Sequence, residues 1–253
     1  MTVADSVSSV RAGERRRSAR SLRTRESAVM AGLTFCGAFS VLTTITIVVV
    51  LSVQMLRFFG MEEVSVVEFF TTSQWNPLLG KEKHFGIWSL VSGTLLVTAV
   101  AMLLALPLGL ITAVYLSEYS PRGVRAFLKP TLEVLAGIPT VVYGFFALTV
   151  ITPGLKFFHE GFNVYNAFSA GIAVGILCLP TVSSLAEDAL QAVPRALREG
   201  AYSLGATKFD VSVKVVLPAA LSGIVSAVLL AVARAIGETM IVALAAGSMP
   251  RLT

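Results

Sequence analysis

The sequence predicts an all-α, polytopic membrane helix bundle, on three observations. Hydrophobic residues make up 55% of the 253-residue chain and charged residues only 14%, against about 25% charged in soluble domains. Mean hydropathy is +0.79. Five continuous apolar stretches, about 29–53, 87–115, 131–152, 167–186 and 219–246, each reach the roughly 20 residues that a bilayer-crossing helix needs. The runs do not alternate, which excludes a membrane β-barrel.

The first element is an Arg-rich tail, residues 1–28, with seven arginines in "RAGERRRSARSLRTRE" (11–26). No aromatic residues interleave them, so they are read as a topological signal and not as a nucleic-acid surface. The run that follows is too long for a signal-peptide core of about 7–15 residues. It is an anchor. With the tail inside, 54–86 becomes an outer segment carrying Glu62, Glu63, Glu68, Lys81, Glu82 and Lys83. Span two returns to "SEYSPRGVRAFLKP" (117–130), which brings Arg122, Arg125 and Lys129 inside. Span three exits to "PGLKFFHEGFN", and span four returns to a loop, 187–218, with Arg195, Arg198, Lys208 and Lys214. Span five ends outside at "SMPRLT". Every loop rich in basic residues falls on one side, so the amino terminus is expected in the cytoplasm.

Small residues, as in "SAGIAVGI" (169–176), predict close helix packing. Pro107, Pro139 and Pro180 each remove a backbone donor and are expected to bend spans two, three and four. Cys36 and Cys178 lie inside apolar runs without metal-ligand spacing and are expected to pack as small residues.

The loop "VPRALREGAYSLGATKFDVSVKVVLP" (193–218) is organised as a helix-turn-helix. Pro194 opens a first helix, with Ala196, Leu197, Ala201 and Leu204 roughly on one face, and Gly205 supplies a left-handed residue to end it. Phe209, Val213 and Val216 give the second segment, which runs to Pro218. Taken alone, such a hairpin can also lie on lipid headgroups.

One pattern within it is more particular. Glu199-Gly200-Ala201, three residues, Gly205, nine residues, then Val215-Val216-Leu217-Pro218 resembles the EAA signature of ABC importer permeases, with Val215 in place of isoleucine. The resemblance extends over most of the chain. "LAGIPTVVYGFFAL" (135–148) and "ARAIGETM" (233–240) look like phosphate-specific permease subunits, PstC-like in the long tail and the outer segment. It implies the MetI-like, type I importer fold in a bacterial inner membrane. It also implies that Glu199, Gly200, Ala201, Gly205, Leu217 and Pro218 form a coupling loop docked on an ATPase. The implied partners are a second permease subunit (PstA-like), an ATPase dimer (PstB-like) and a periplasmic phosphate-binding protein (PstS-like), besides membrane lipid. No cofactor is expected on this chain; ATP and magnesium belong to the ATPase. Such permeases resemble six-helix proteins, so a further span is expected beyond the five seen here.

The run "AVARAIGETMIVALAAG" (231–247) holds two charges in apolar surroundings, Arg234 and Glu238. Arg234 falls about 15 residues into span five, near the midplane at 1.5 Å per residue. The i,i+4 spacing predicts an Arg234–Glu238 pair facing the bundle interior or an aqueous cavity. A structural ion pair accounts for that spacing; so does a site for an oxyanion, which the planar guanidinium suits. In the second reading Glu238 holds Arg234 between passages and keeps the site weak enough for release. Hydroxyls of Thr140, Tyr143, Thr181, Ser183, Ser184 and Thr239 complete the candidate pathway, although Ser and Thr also satisfy their own helix carbonyls.

Phosphate import is therefore the expected function, with sulfate, molybdate or phosphonate import, or a non-transporting scaffold, as alternatives. Catalysis is not expected. His84 and His159 sit in outer loops, and no G-x-S-x-G, H-E-x-x-H or G-x-x-x-x-G-K-[ST] occurs.

Overall fold

The computed structural model describes the backbone of residues 3–61, 64–76 and 84–247, and the side chains of these residues except 3–25 and 28. Glu62, Glu63, Lys81, Glu82, Lys83, the tail arginines and "SMPRLT" therefore lie outside the described residues or side chains. The chain forms two compact units, divided at Val66.

The first unit is dominated by one helix, α1 (Val3–Phe59). Its apolar part, Val29–Phe59, has a mean hydropathy of 2.3 over its most apolar window, which suits a lipid-spanning segment. Its Thr34, Thr43, Thr44 and Thr46 hydroxyls each donate to the carbonyl four residues back. Polar groups in an apolar helix are satisfied locally in this way.

The division falls after the first residue of α2 (Val66–Thr71), and the second unit continues with a small antiparallel ladder, β1 (Trp75–Asn76) with β2 (His84–Phe85). Glu68 Oε1 lies 2.8 Å from His84 Nδ1 and ties helix to ladder. The bundle follows: α3 (Trp88–Tyr119), α4 (Arg122–Ala136), α5 (Thr140–Phe158) and α6 (Ala167–Gln191). Next come α7 (Arg195–Ser203), α8 (Lys208–Ala219), α9 (Leu221–Ile236) and α10 (Met240–Ala245).

Among the described residues four helices are long and apolar enough to cross a membrane, and the bent pair α8–α9 makes a fifth candidate. Two expected spans differ from the sequence reading. The third begins at Thr140 and not at 131, because Gly137 to Pro139 separates it from the amphipathic α4. Pro139 thus opens a helix, whereas Pro107 and Pro180 sit inside unbroken ones. The fifth is not one helix over 219–246. It bends by 68° beside Pro218, which has no N–H to donate, and breaks again at Gly237 to Thr239.

α6 is the central helix, packed against α3, α9 and α10, with Ala170, Ala173, Val174, Leu177, Cys178 and Val182 fully buried. Small residues set the spacing. A Cβ on Gly171 would stand 2.6 Å from Val100 Cβ, and one on Gly109 2.7 Å from Val182 Cγ1. Such close approach yields the dispersion contacts that hold helices together where lipid competes with apolar burial. Buried hydroxyls add specificity. Thr152 Oγ1 donates to Ser169 Oγ at 2.9 Å, and Ser169 Oγ donates to the Ala147 carbonyl at 3.2 Å, joining α5 to α6.

Candidate functional site

The hairpin forms as the spacing predicts. Pro194 is the residue before the first turn of α7 (φ −55°, ψ 136°), and Gly205 ends the turn with φ +83°. The Gly205 amide donates to Tyr202 O at 3.0 Å and the Ala206 amide to Ala201 O at 3.2 Å, a Schellman closure of α7. Thr207 then caps α8: its Oγ1 accepts from the Asp210 amide at 3.2 Å and donates to Asp210 Oδ2 at 2.6 Å. Lys214 lies 2.7 Å from Asp210 and, through its hydrogen bond, holds that carboxyl below the usual carboxylate range.

The inner side of the hairpin packs on the bundle. Ala201, Ala206, Val211, Val216 and Leu217 meet Ala113 of α3, Ala186 and Leu190 of α6, and Ile224 of α9. The single apolar face expected for α7 is not what is observed: Ala201 is half-buried, while Ala196, Leu197 and Leu204 are exposed. Leu204, 89% exposed, stands outward with Phe209 and Tyr202. Glu199, Gly200 and Pro218 are exposed on the same hairpin, and a Cβ placed on Gly200 would meet nothing within 4 Å beyond its own helix backbone and chain neighbours. An ordered hairpin with outward apolar groups is suited to docking another protein.

The basic loops converge on one end of the bundle. Glu187, in the last turns of α6 with its side chain 1% exposed, receives Arg125 Nη2 at 2.8 Å and Gln191 Nε2 at 2.6 Å; Lys129 Nζ is 3.5 Å from its other oxygen. Lys129 also pairs with Asp188 at 3.0 Å, and that hydrogen bond raises its pKa above the ordinary lysine value. Glu118, at the end of α3, pairs with Arg198 of α7 at 3.0 Å. Sequence reasoning missed these acidic partners. Their signal was present: carboxylates closing two apolar spans, in a chain whose neighbouring loops carry the cations.

The expected Arg234–Glu238 pair is not formed. Among the described residues, no carboxylate oxygen lies within the 4.0 Å ion-pair distance of Arg234. The i,i+4 geometry presumes one continuous helix, and α9 ends at Ile236. Glu238 Oε1 instead accepts the Ile241 amide at 3.2 Å and caps the start of α10. Arg234, in the last turn of α9, is exposed, and its Nη1 donates to Thr181 Oγ1 of α6 at 3.3 Å. A cation there is favoured by the helix dipole. Counting from Leu221, it stands about 20 Å along the helix axis.

The hydroxyls divide. Thr181 reaches the guanidinium. Tyr143 is buried, and its hydroxyl donates to Leu135 O at 2.8 Å, locking the corner between α4 and α5. Ser183 is buried and donates to Leu179 O in its own helix, as its local role predicts. Thr140 and Ser184 are half-buried, and Thr239 is exposed in the break before α10. Cys178 is buried, its Sγ 3.9 Å from Ala231 O, whereas Cys36 is exposed. Among the described residues no group of three His, Cys, Asp or Glu could hold a metal.

Known proteins resemble this chain over the same region. The model of the "Binding-protein-dependent transport system inner membrane component" family matches residues 105–252, which include the hairpin and Arg234. The "Probable ABC transporter permease protein YqgH" of Bacillus subtilis is 36% identical over 85% of this chain and 70% of its own length. The "Phosphate transport system permease protein PstC" of Mesorhizobium japonicum is 36% identical over 73% of this chain, and that of Xylella fastidiosa 33% over 74%. The chain spans 70%, 63% and 62% of the lengths of the Bacillus, Xylella and Mesorhizobium relatives. A chain from a solved structure of the MetNI methionine ABC transporter superposes with a TM-score of 0.48, at 21% identity, over 65% of this chain and 74% of that one. With a family model that matches from within α3 through the hairpin and the arginine-bearing helix, and with relatives alike over most of the chain, this protein belongs to the family of binding-protein-dependent transport system inner membrane components.

Proposed function

We propose that this chain is the PstC-like permease subunit of an ATP-driven importer that moves inorganic phosphate into the cytoplasm. The observation that carries the reading is Arg234: a guanidinium in the last turn of an apolar helix, exposed, and held by one threonine hydroxyl with no carboxylate in ion-pair range. A charge left so is expensive against lipid, and it suits a water-filled path for an anion. A planar fork can bind two oxygens of a tetrahedral oxyanion at once. The relatives named as phosphate permeases support phosphate in particular.

Thr181 and Thr239 line the same path, Thr140 and Ser184 border it, and Tyr143 and Ser183 support its walls. Glu238 serves by fixing the break beside Arg234. The outward face of the hairpin, with Glu199, Gly200, Leu204 and Phe209, docks the ATPase dimer, and the amino terminus lies with it in the cytoplasm. A second permease subunit completes the path, and a periplasmic phosphate-binding protein delivers the ion. The chain itself carries no catalysis.

Uptake of labelled phosphate, sulfate and molybdate, each in cells lacking their own permease, tests the reading. Phosphate alone should enter, and Arg234→Gln should abolish entry while the assembled complex persists. Import of sulfate or molybdate in place of phosphate overturns the substrate. Unchanged phosphate uptake by Arg234→Gln overturns the path.

A further inference from the structure

The two arms of the hairpin grip adjacent residues at the end of α3, one each. From α7, Arg198 Nη2 donates to Glu118 Oε1 at 3.0 Å, and the same guanidinium donates to Leu190 O at 2.7 Å and Val193 O at 3.3 Å, beyond the last turn of α6. From α8, the Lys208 ammonium stands 5.0 Å from the ring centroid of Tyr119. Ser117 Oγ donates to the same Glu118 oxygen at 3.0 Å. The Glu118 side chain is 8% exposed and that of Arg198 19%, so their pair is screened far less than a surface one. One planar fork thus joins three helices. A single point charge cannot make those three contacts.

The hairpin is continuous with α9 through the bend at Pro218, so its motion reaches α9 along the chain itself. Nothing covalent carries that motion to α3, which lies some 80 residues earlier by sequence separation. We infer that Arg198 is the positioning residue that makes the Glu118–Tyr119 end of α3 move with the hairpin, so that a displacement imposed at the docking face opens α3 and α9 together. Lys208 on Tyr119 sets the orientation of that end and Arg198 transmits the displacement. The inference rests on the permease reading above.

The test replaces the ion pair with a link that can be cut. Glu118→Cys with Arg198→Cys, in a Cys36→Ala background, is assembled with its partner subunits in proteoliposomes and joined by a reducible bis-methanethiosulfonate of matched length. The quantity read is phosphate imported per ATP hydrolysed. The joined complex should couple as the wild type does, and reduction of the same preparation should lower the ratio by roughly tenfold, within the range of typical coupling energies. Because assembly precedes reduction, a role in folding alone leaves the ratio unchanged. Equal ratios before and after reduction overturn the inference, as does a low ratio in both states. Spin labels at Ser120 and Ser203 give a readout independent of substrate. Their separation should hold constant through the ATP cycle when joined and vary when cut. Constancy in both states overturns the link. Failure of the wild-type complex to import phosphate would strike the permease reading alone, and the labels would still decide this one.

Discussion

Gly205 carries the most exacting prediction. Its φ of +83° lies in the left-handed region, yet a Cβ built on it meets nothing within 4 Å. The sequence reading assigned it the left-handed residue that ends the first helix; the structure leaves open space around a Cβ there, so the constraint is backbone conformation alone. An L-residue held there costs roughly 1–2 kcal/mol, with asparagine cheapest and a β-branched side chain worst. The ratio of closed to open turn should therefore fall by about 5–30-fold for Gly205→Val, and much less for Gly205→Asn. The amides that report it are those of residue 205 and Ala206, bonded to Tyr202 O and Ala201 O. Hydrogen exchange on a peptide covering 199–210, with the protein in nanodiscs and no partner present, should accelerate by that factor. Peptides from α3 and α6 should not change. Equal acceleration by asparagine and valine would refute the backbone argument. Loss of ATPase binding with unchanged exchange would make obstruction of the docking face the cause.

Two further predictions concern packing and charge. Arg125→Ala leaves the buried Glu187 carboxylate with Gln191 and a lysine at 3.5 Å; it should lower thermal stability by roughly 2 kcal/mol, less than the 3–5 of a fully buried pair because Arg125 is one-third exposed and Lys129 remains. Calorimetry in detergent checks this, and Glu187→Gln should be milder, since the amide can still accept from Gln191. Gly171→Ala drives a Cβ to 2.6 Å from Val100 Cβ and should destabilise by about 1–3 kcal/mol, with Val100→Gly, which removes that Cβ, giving a double variant less destabilised than the sum of the two single losses; additive losses would mean that the two helices do not meet there.

Where the sequence was legible, the physics was local. Hydropathy marks α3, α6 and the apolar part of α1 because a spanning helix must be apolar along its whole length; these start at Trp88, Ala167 and Val29, within a residue of the expected positions, but each runs on past its expected end, to Tyr119, Gln191 and Phe59. The hairpin was legible because caps act over three or four residues: Gly205 and Thr207 work whatever surrounds them. Glu187 and Glu118 were not, because their partners lie far off in sequence, Arg125 some 60 residues away and Arg198 80. Only the packing of α4 and α7 onto the bundle brings them together.

The case of Arg234 shows why an apolar run does not fix a helix. From 221 to 245 every window is greasy enough to continue, and hydropathy offers no reason to stop. Two residues supply the reason. Gly237 has no side chain to pack and weakens the helix, and Glu238 offers its carboxylate to the Ile241 amide, replacing a backbone acceptor lost at the break. In a bilayer an unsatisfied N–H costs several kcal/mol, so a break is tolerable only where such a substitute stands ready. The glutamate that the i,i+4 rule assigned to the arginine is thus spent on the backbone. Its use there leaves Arg234 with the Thr181 hydroxyl as partner and, among the described residues, no counter-charge in ion-pair range.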